Sequence, residues 1–205
     1  MLAVIAIVLM CTLMALLSSC EGKSKKLADG TDVRGKITAL DENGTLNAEN
    51  CISADRQYMY LHFGSNYKWY EAQFTFKDYL DNGEIPILQS VTDVFQSITK
   101  YDDGGADTEV TLIYHDAAGN YSTDTKHGFW IEDVVLNEQG IKLNLMQSFQ
   151  RLTEANVIKP HSRHCTLRRP LGPKDCNPQY IFGNIHSTVF VDAVTGDVNT
   201  QNPAF

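Results

Sequence analysis

His161, His164, Cys165, Cys176 and His186 crowd one stretch of the chain, and imidazole nitrogen with thiolate sulfur is the donor set that zinc prefers. Their spacing argues against a metal. His161 and His164 follow Pro160 in a stretch expected to be extended, where side chains three apart point to opposite faces. Paired Cys-x2-Cys or His-x3-His spacing is absent, so no metal is assigned. An acidic set, Asp102-Asp103-Gly104-Gly105-Ala106-Asp107-Thr108-Glu109, lacks the residue order and distal bidentate Glu of an EF-hand calcium loop and is expected to be a turn. Trp69 and Tyr67 could stack on a sugar face if exposed, although aromatic residues in strands more often serve packing.

Basic residues form a further candidate. Lys159, Arg163, Arg168, Arg169 and Lys174 lie together without an acidic neighbour between 155 and 174, in a chain whose net charge is −8. Arg163, Arg168 and Arg169 could grip an anionic partner, while the simpler expectation is a solvated run paired with nearby carboxylates. The acidic balance excludes non-specific nucleic-acid binding. Gly-x-Ser-x-Gly, His-Glu-x-x-His, a phosphate-cradling loop and a dinucleotide fingerprint are all missing, so no catalytic residue and no cofactor is assigned.

Cys20 supplies chemistry of another kind. An uncharged apolar run from Ala3 closes on Leu17-Ser18-Ser19-Cys20, which reads as a lipobox: small residues enter a signal peptidase and the Cys20 thiol takes the lipid. The run is shorter than the ~20 residues that span a bilayer. No basic residue precedes it, so the assignment rests on apolar length and on the residues before Cys20. The sequence therefore resembles bacterial lipoproteins, with residues 1–19 a signal peptide and 20–35 a flexible tether. Glu21 follows the cysteine where an inner-membrane retention signal would place Asp, which points to the outer membrane of a Gram-negative envelope. In that oxidising compartment Cys165 and Cys176, flanking a Pro- and Gly-containing segment, are expected to form a disulfide, leaving Cys51 odd.

Residues 36–205, in a chain that is 43% hydrophobic, are expected to fold as a globular α+β region. Asn43-Gly44 predicts a hairpin between 36–40 and 45–48. Strands are expected at 57–63 and at 68–79, the second alternating cleanly with Tyr70, Ala72, Phe74 and Phe76 on one side. Pro86 followed by Ile87, Leu88, Val91, Val94, Phe95 and Ile98 predicts an amphipathic helix. Strands at 109–115 and 128–135 follow, then a second helix over 145–156 stopped by Pro160. Strands at 164–168, 179–182 and 188–194 end the chain.

Short similarities between 87–91 and 145–149, and between 129–134 and 189–194, suggest two repeated helix-plus-strand units at 85–137 and 143–198. Phe190-Val191-Asp192-Ala193-Val194-Thr195-Gly196-Asp197 resembles the terminal strand and turn of PepSY-like domains. That resemblance covers the last third of the chain and implies a non-catalytic binding or inhibitory module in which a helix precedes antiparallel strands. The expected protein is an antiparallel sheet carrying two packed helices, anchored in the envelope by its lipid. Its partner would be an envelope protein or, through exposed aromatics, a glycan; a hydrolase with an unrecognised site is the other alternative.

Overall fold

A computed structural model describes residues 39–99, 104–130, 134–136 and 140–205, with Lys100 described in its backbone alone. The segments read as signal peptide, lipobox with Cys20 and tether lie outside the described residues.

Asn47 starts the first helix, α1 (Ala48–Phe63), its side chain accepting the Asn50 N–H at 2.9 Å. That bond satisfies one of the free donors of the first turn. Gly64, at φ 58°, ends the helix with its N–H on Tyr60 O. Ala48, Cys51, Asp55 and Met59 fall at helical spacing and form its buried face. Four strands follow as a meander: β1 (Tyr67–Phe76), β2 (Leu88–Lys100), β3 (Ala106–Asp116) and β4 (Tyr121–His127). Between β3 and β4, Asp116 Oδ1 accepts the N–H groups of Ala118 and Asn120, a turn the side chain itself closes.

A second helix, α2 (Leu145–Glu154), opens with a reciprocal cap in which Asn144 and Gln147 bond each other's backbone N–H. Its apolar stripe, Leu145, Phe149 and Leu152, is buried. A second meander follows: β5 (His164–Arg168), β6 (Gln179–Asn184), β7 (Ser187–Asp192) and β8 (Val198–Asn199). All eight strands join one antiparallel sheet in the order β4-β3-β2-β1-β5-β6-β7-β8. The two meanders meet at β1 and β5, where Phe74 pairs with Cys165 and Ala72 with Leu167. Read outward from that seam, each half is a helix followed by four strands.

Both helices pack into one apolar core with the same sheet face: Cys51 and Met59 from α1, Phe149 and Leu152 from α2, Phe74 and Phe95 from the strands. Among the described residues no helix is long and apolar enough to cross a membrane.

The expected α+β class and the 145–156 helix match this structure, and several elements differ. Residues 88–98 of the expected helix belong to β2, a strand buried on both faces along its middle, so its apolar residues do not alternate and imitate a helical stripe. Residues 57–63 belong to α1 and are not a strand. Of the first hairpin, whose residues 36–38 lie outside the described residues, the described part is a bridge between Leu40 and Leu46 around its turn. The strand expected at 128–135 lies earlier, at Tyr121–His127. A unit beginning at residue 85 therefore starts at β2 and lacks a helix; the halves of like topology span 48–127 and 145–199.

Candidate functional site

The most heavily perturbed groups sit between α1 and the first half-sheet. Asp55 projects from α1, Asp93 from the middle of β2, and His115 from β3, all buried on the helix-bearing face. Asp55 Oδ1 lies 2.6 Å from His115 Nε2, and Trp69 of β1 donates its indole N–H to Asp93 Oδ1 at 2.9 Å. The two carboxyls are close enough to shift each other's proton affinity, and Asp55 Oδ2, Asp93 Oδ2 and His115 Nδ1 are buried without a hydrogen-bond partner, so retention of a proton lowers the cost of burying the pair.

Burial pushes both carboxyls well above the ordinary range, and for Asp93 the charge of Asp55 adds to it. Burial pushes His115 the other way, below its ordinary value, against the opposing pull of Asp93 and Asp116. These directions favour a neutral imidazole hydrogen-bonded to Asp55 and retention of a proton by the carboxyl pair. Cys51, one helical turn before Asp55, is raised by burial and by the nearby carboxyls. No group of this cluster is open to a substrate, since Asp93 and His115 are fully buried. Its chemistry is to hold α1 against the sheet.

Trp69 links the cluster to the outside. Its other face lines a cleft of about 320 Å³ between α1 and α2, with Ile52, Leu167 and Tyr180 forming apolar walls and Glu49 and Lys142 carrying charge. Several polar groups of the lining are already engaged. Tyr180 OH donates to Leu143 O at 3.1 Å, Glu49 Oε1 accepts the Leu145 N–H at 3.2 Å, and Asn144 and Gln147 cap α2. Burial raises the Tyr180 phenol further, so it stays protonated. A cleft built this way offers apolar contact with a polar rim, suited to binding.

The residues singled out from sequence disperse. Trp69 is only 5% exposed, so the exposed aromatic platform does not exist in the expected form; Tyr67 is half-buried, donating to Arg56 O and packing edge-on against Phe95. Cys165 and Cys176 are separate free thiols, as is Cys51, and the expected disulfide is not formed. Cys165 faces the core from β5 beside Phe74 and Phe182, whereas Cys176 is half-buried in the following loop.

His161 stacks on Tyr79 and pairs with Asp81, His164 touches Thr75, and His186 lies in the β6–β7 turn, so these imidazoles do not converge with the cysteines. The basic residues are individually engaged. Arg168 pairs with Glu71, Arg169 with Asp175, Arg163 lies over the Tyr79 ring, and Lys159 over Phe149. Asp102 and Asp103 of the acid-rich turn lie outside the described residues, while Asp107 and Glu109 meet His127.

The Val-Asp-Ala…Thr-Gly-Asp motif occupies the β7–β8 turn. Asp192 Oδ1 accepts the Val194 and Thr195 N–H groups, and Gly196 supplies φ 82°. Burial raises Asp192, but these bonds, with those from Asn177 and Gln179, outweigh it and hold the carboxyl below its usual value. The motif is thus turn chemistry.

Sequence reasoning missed Asp55, Asp93 and His115. His115 shares the parity of buried Ile113, which is the one available signal; Asp93 lies in a segment read as a helix, and Asp55 in one read as no regular element. Fold and site together define an eight-stranded antiparallel α+β protein with an inter-helix cleft. Comparison of the chain with protein-family models, curated proteins and solved structures finds no match.

Proposed function

We propose that this chain is an envelope lipoprotein, acylated at Cys20, that acts as a non-catalytic binding module through the cleft between α1 and α2. One observation carries the binding reading: the shifted carboxyls and imidazole, Asp55, Asp93 and His115, are sealed beneath α1, while the accessible concavity is apolar and several of its polar groups, Tyr180 with its raised phenol among them, are already bonded. Catalysis needs a perturbed acid or base within reach of substrate, and binding does not. The occupant that suits such a cleft is an apolar side chain or similarly small apolar group of an envelope partner, with Glu49 and Lys142 at hand for a polar flank. The two halves, each a helix and a four-stranded meander, support a tandem architecture of PepSY-like units at 48–127 and 145–199. Anchorage rests on the lipobox, and a partner confined to the same envelope layer gains from the high effective concentration a tether provides.

Photo-cross-linking in cells tests this reading. Ser53 is exposed at the cleft and Lys126 is exposed on the β3–β4 hairpin. A photoreactive phenylalanine at Ser53 is expected to trap one discrete partner in the membrane fraction, and the same probe at Lys126 to trap none. Equal labelling at both positions, or none at Ser53, would contradict the cleft. A soluble, unacylated protein in fractionated cells would contradict the anchor.

A further inference from the structure

We infer that Asp107, Glu109 and His127 form a binding site for a divalent transition-metal ion, zinc by its donor set, at the open end of the β3–β4 hairpin. Asp107 and Glu109 are two residues apart on β3 and therefore project from the same face. Glu109 pairs directly across from His127, the last residue of β4. One ligand atom from each of the three residues falls within 4.8 Å of the others. His127 Nδ1 stands 2.8 Å from Asp107 Oδ2 and 3.9 Å from Glu109 Oε1.

The backbone beneath them is fixed by more than the ladder, since Gly128 N–H donates to Thr108 O at 2.8 Å. Ligands borne on paired strands are held in place before the ion arrives, which lowers the ordering cost of binding. One imidazole nitrogen with two carboxylates suits zinc or a neighbouring first-row ion, and three protein ligands leave positions for water. The alternative occupancy is the bare His–carboxylate pairing. In that state a second carboxylate crowds the first, with His127 as their ion-pair partner among the described residues. A dication relieves that repulsion, and a single imidazole cannot do so fully. Bound there, it would clasp the edge strand β4 to β3 where the chain departs for α2.

Calorimetric titration of the full-length, detergent-solubilised protein with zinc chloride tests the site. All three side chains are partly or well exposed, so their variants are expected to fold, and far-UV circular dichroism checks that they do. The wild type is expected to bind one zinc ion per chain. His127→Ala and Asp107→Asn should each weaken binding tenfold or more, whereas Cys176→Ser and His161→Ala should leave it within twofold. Absence of zinc binding, binding that survives His127→Ala, or binding lost in Cys176→Ser or His161→Ala would each overturn the assignment.

Discussion

His115 Nε2 and Asp55 Oδ1, 2.6 Å apart and both buried, tie helix α1 to strand β3 across the half-sheet that β1 begins. With Asp93 and Trp69 they form a polar inclusion in an apolar layer. Asp55 Oδ2, Asp93 Oδ2 and His115 Nδ1 are buried without a partner, so the inclusion is costly and fixes where α1 sits more than it adds stability.

Retention of a proton by the carboxyl pair, which burial favours, has a measurable consequence. Asp93 binds its proton more tightly folded than unfolded, where its ordinary value is 3.8, so its contribution is complete below that pH and is lost as pH rises toward the folded value. Asp93→Asn keeps an acceptor for Trp69 and a donor for Asp55 without the titration. Wild type should therefore lose about 1.4 kcal/mol relative to Asp93→Asn for each pH unit across that window. His115 has the opposite sign: its folded value lies below 6.5, so its contribution is present above that pH and falls as acid is added. Urea unfolding of both proteins at several pH values separates the two slopes; parallel curves would mean that Asp93 does not retain the proton.

Arg168 and Glu71 form a cross-strand pair between β5 and β1, 3.5 Å apart, on the sheet face opposite the helices. Glu71 is buried and also accepts from Gln73 at 2.5 Å. Arg168→Met strips a buried carboxylate of a cation and should cost about 3 kcal/mol by denaturant unfolding. Combining it with Glu71→Leu should recover most of that loss, because the buried charge goes too. A surface-like cost below about 1 kcal/mol would instead return Arg168 to the candidates for anion binding.

Free thiols follow from the cysteine positions. Apart from Cys11 and Cys20, native protein should react with a thiol reagent at Cys176 alone, and unfolded protein at Cys51, Cys165 and Cys176. Burial raises both inner thiols and also removes them from the reagent. Mass spectrometry after labelling, without prior reduction, checks the count; a two-dalton deficit would restore the Cys165–Cys176 disulfide.

Much of the second half was legible because its signals are local. Asn144 and Gln147 cap a helix with a clean apolar stripe, Pro160 lies shortly beyond it, and short alternating strands follow. The first half hid two elements behind each other's pattern. In α1 the buried stripe includes Asp55 while Tyr60 and Leu61 are exposed, so apolar periodicity is blurred. In β2 residues on both faces are buried, including Val94 and Phe95 in succession, and the run of apolar positions imitates a helix. The buried site fell with those assignments, since Asp55, Asp93 and His115 meet only once α1 lies on the sheet. The cleft was equally invisible: it is formed by two helices far apart in sequence.

Gly183 marks a steric limit in the β6–β7 hairpin. Its φ is 121°, and a Cβ there would collide with the Ser187 carbonyl oxygen. Gly183→Ala should cost at least about 2 kcal/mol in thermal or urea unfolding. Gly104→Ala, with positive φ but open space around it, should cost about 1 kcal/mol. Equal costs would show that the hairpin yields to remove the clash.

The cleft is the central claim, and the indole N–H of Trp69 reports on it directly. That group donates to Asp93 while the ring lines the cleft, whereas Trp130 lies on another segment, its backbone N–H bonded to Gln96. In nitrogen-15 spectra of the full-length protein titrated with small apolar fragments such as naphthalene, the Trp69 indole resonance should shift saturably and the Trp130 resonance should stay. Ser53→Trp, which fills the mouth of the cleft, should abolish the shift. A Trp69 resonance unmoved by every fragment, or a shift that survives Ser53→Trp, would contradict a binding cleft between the two helices.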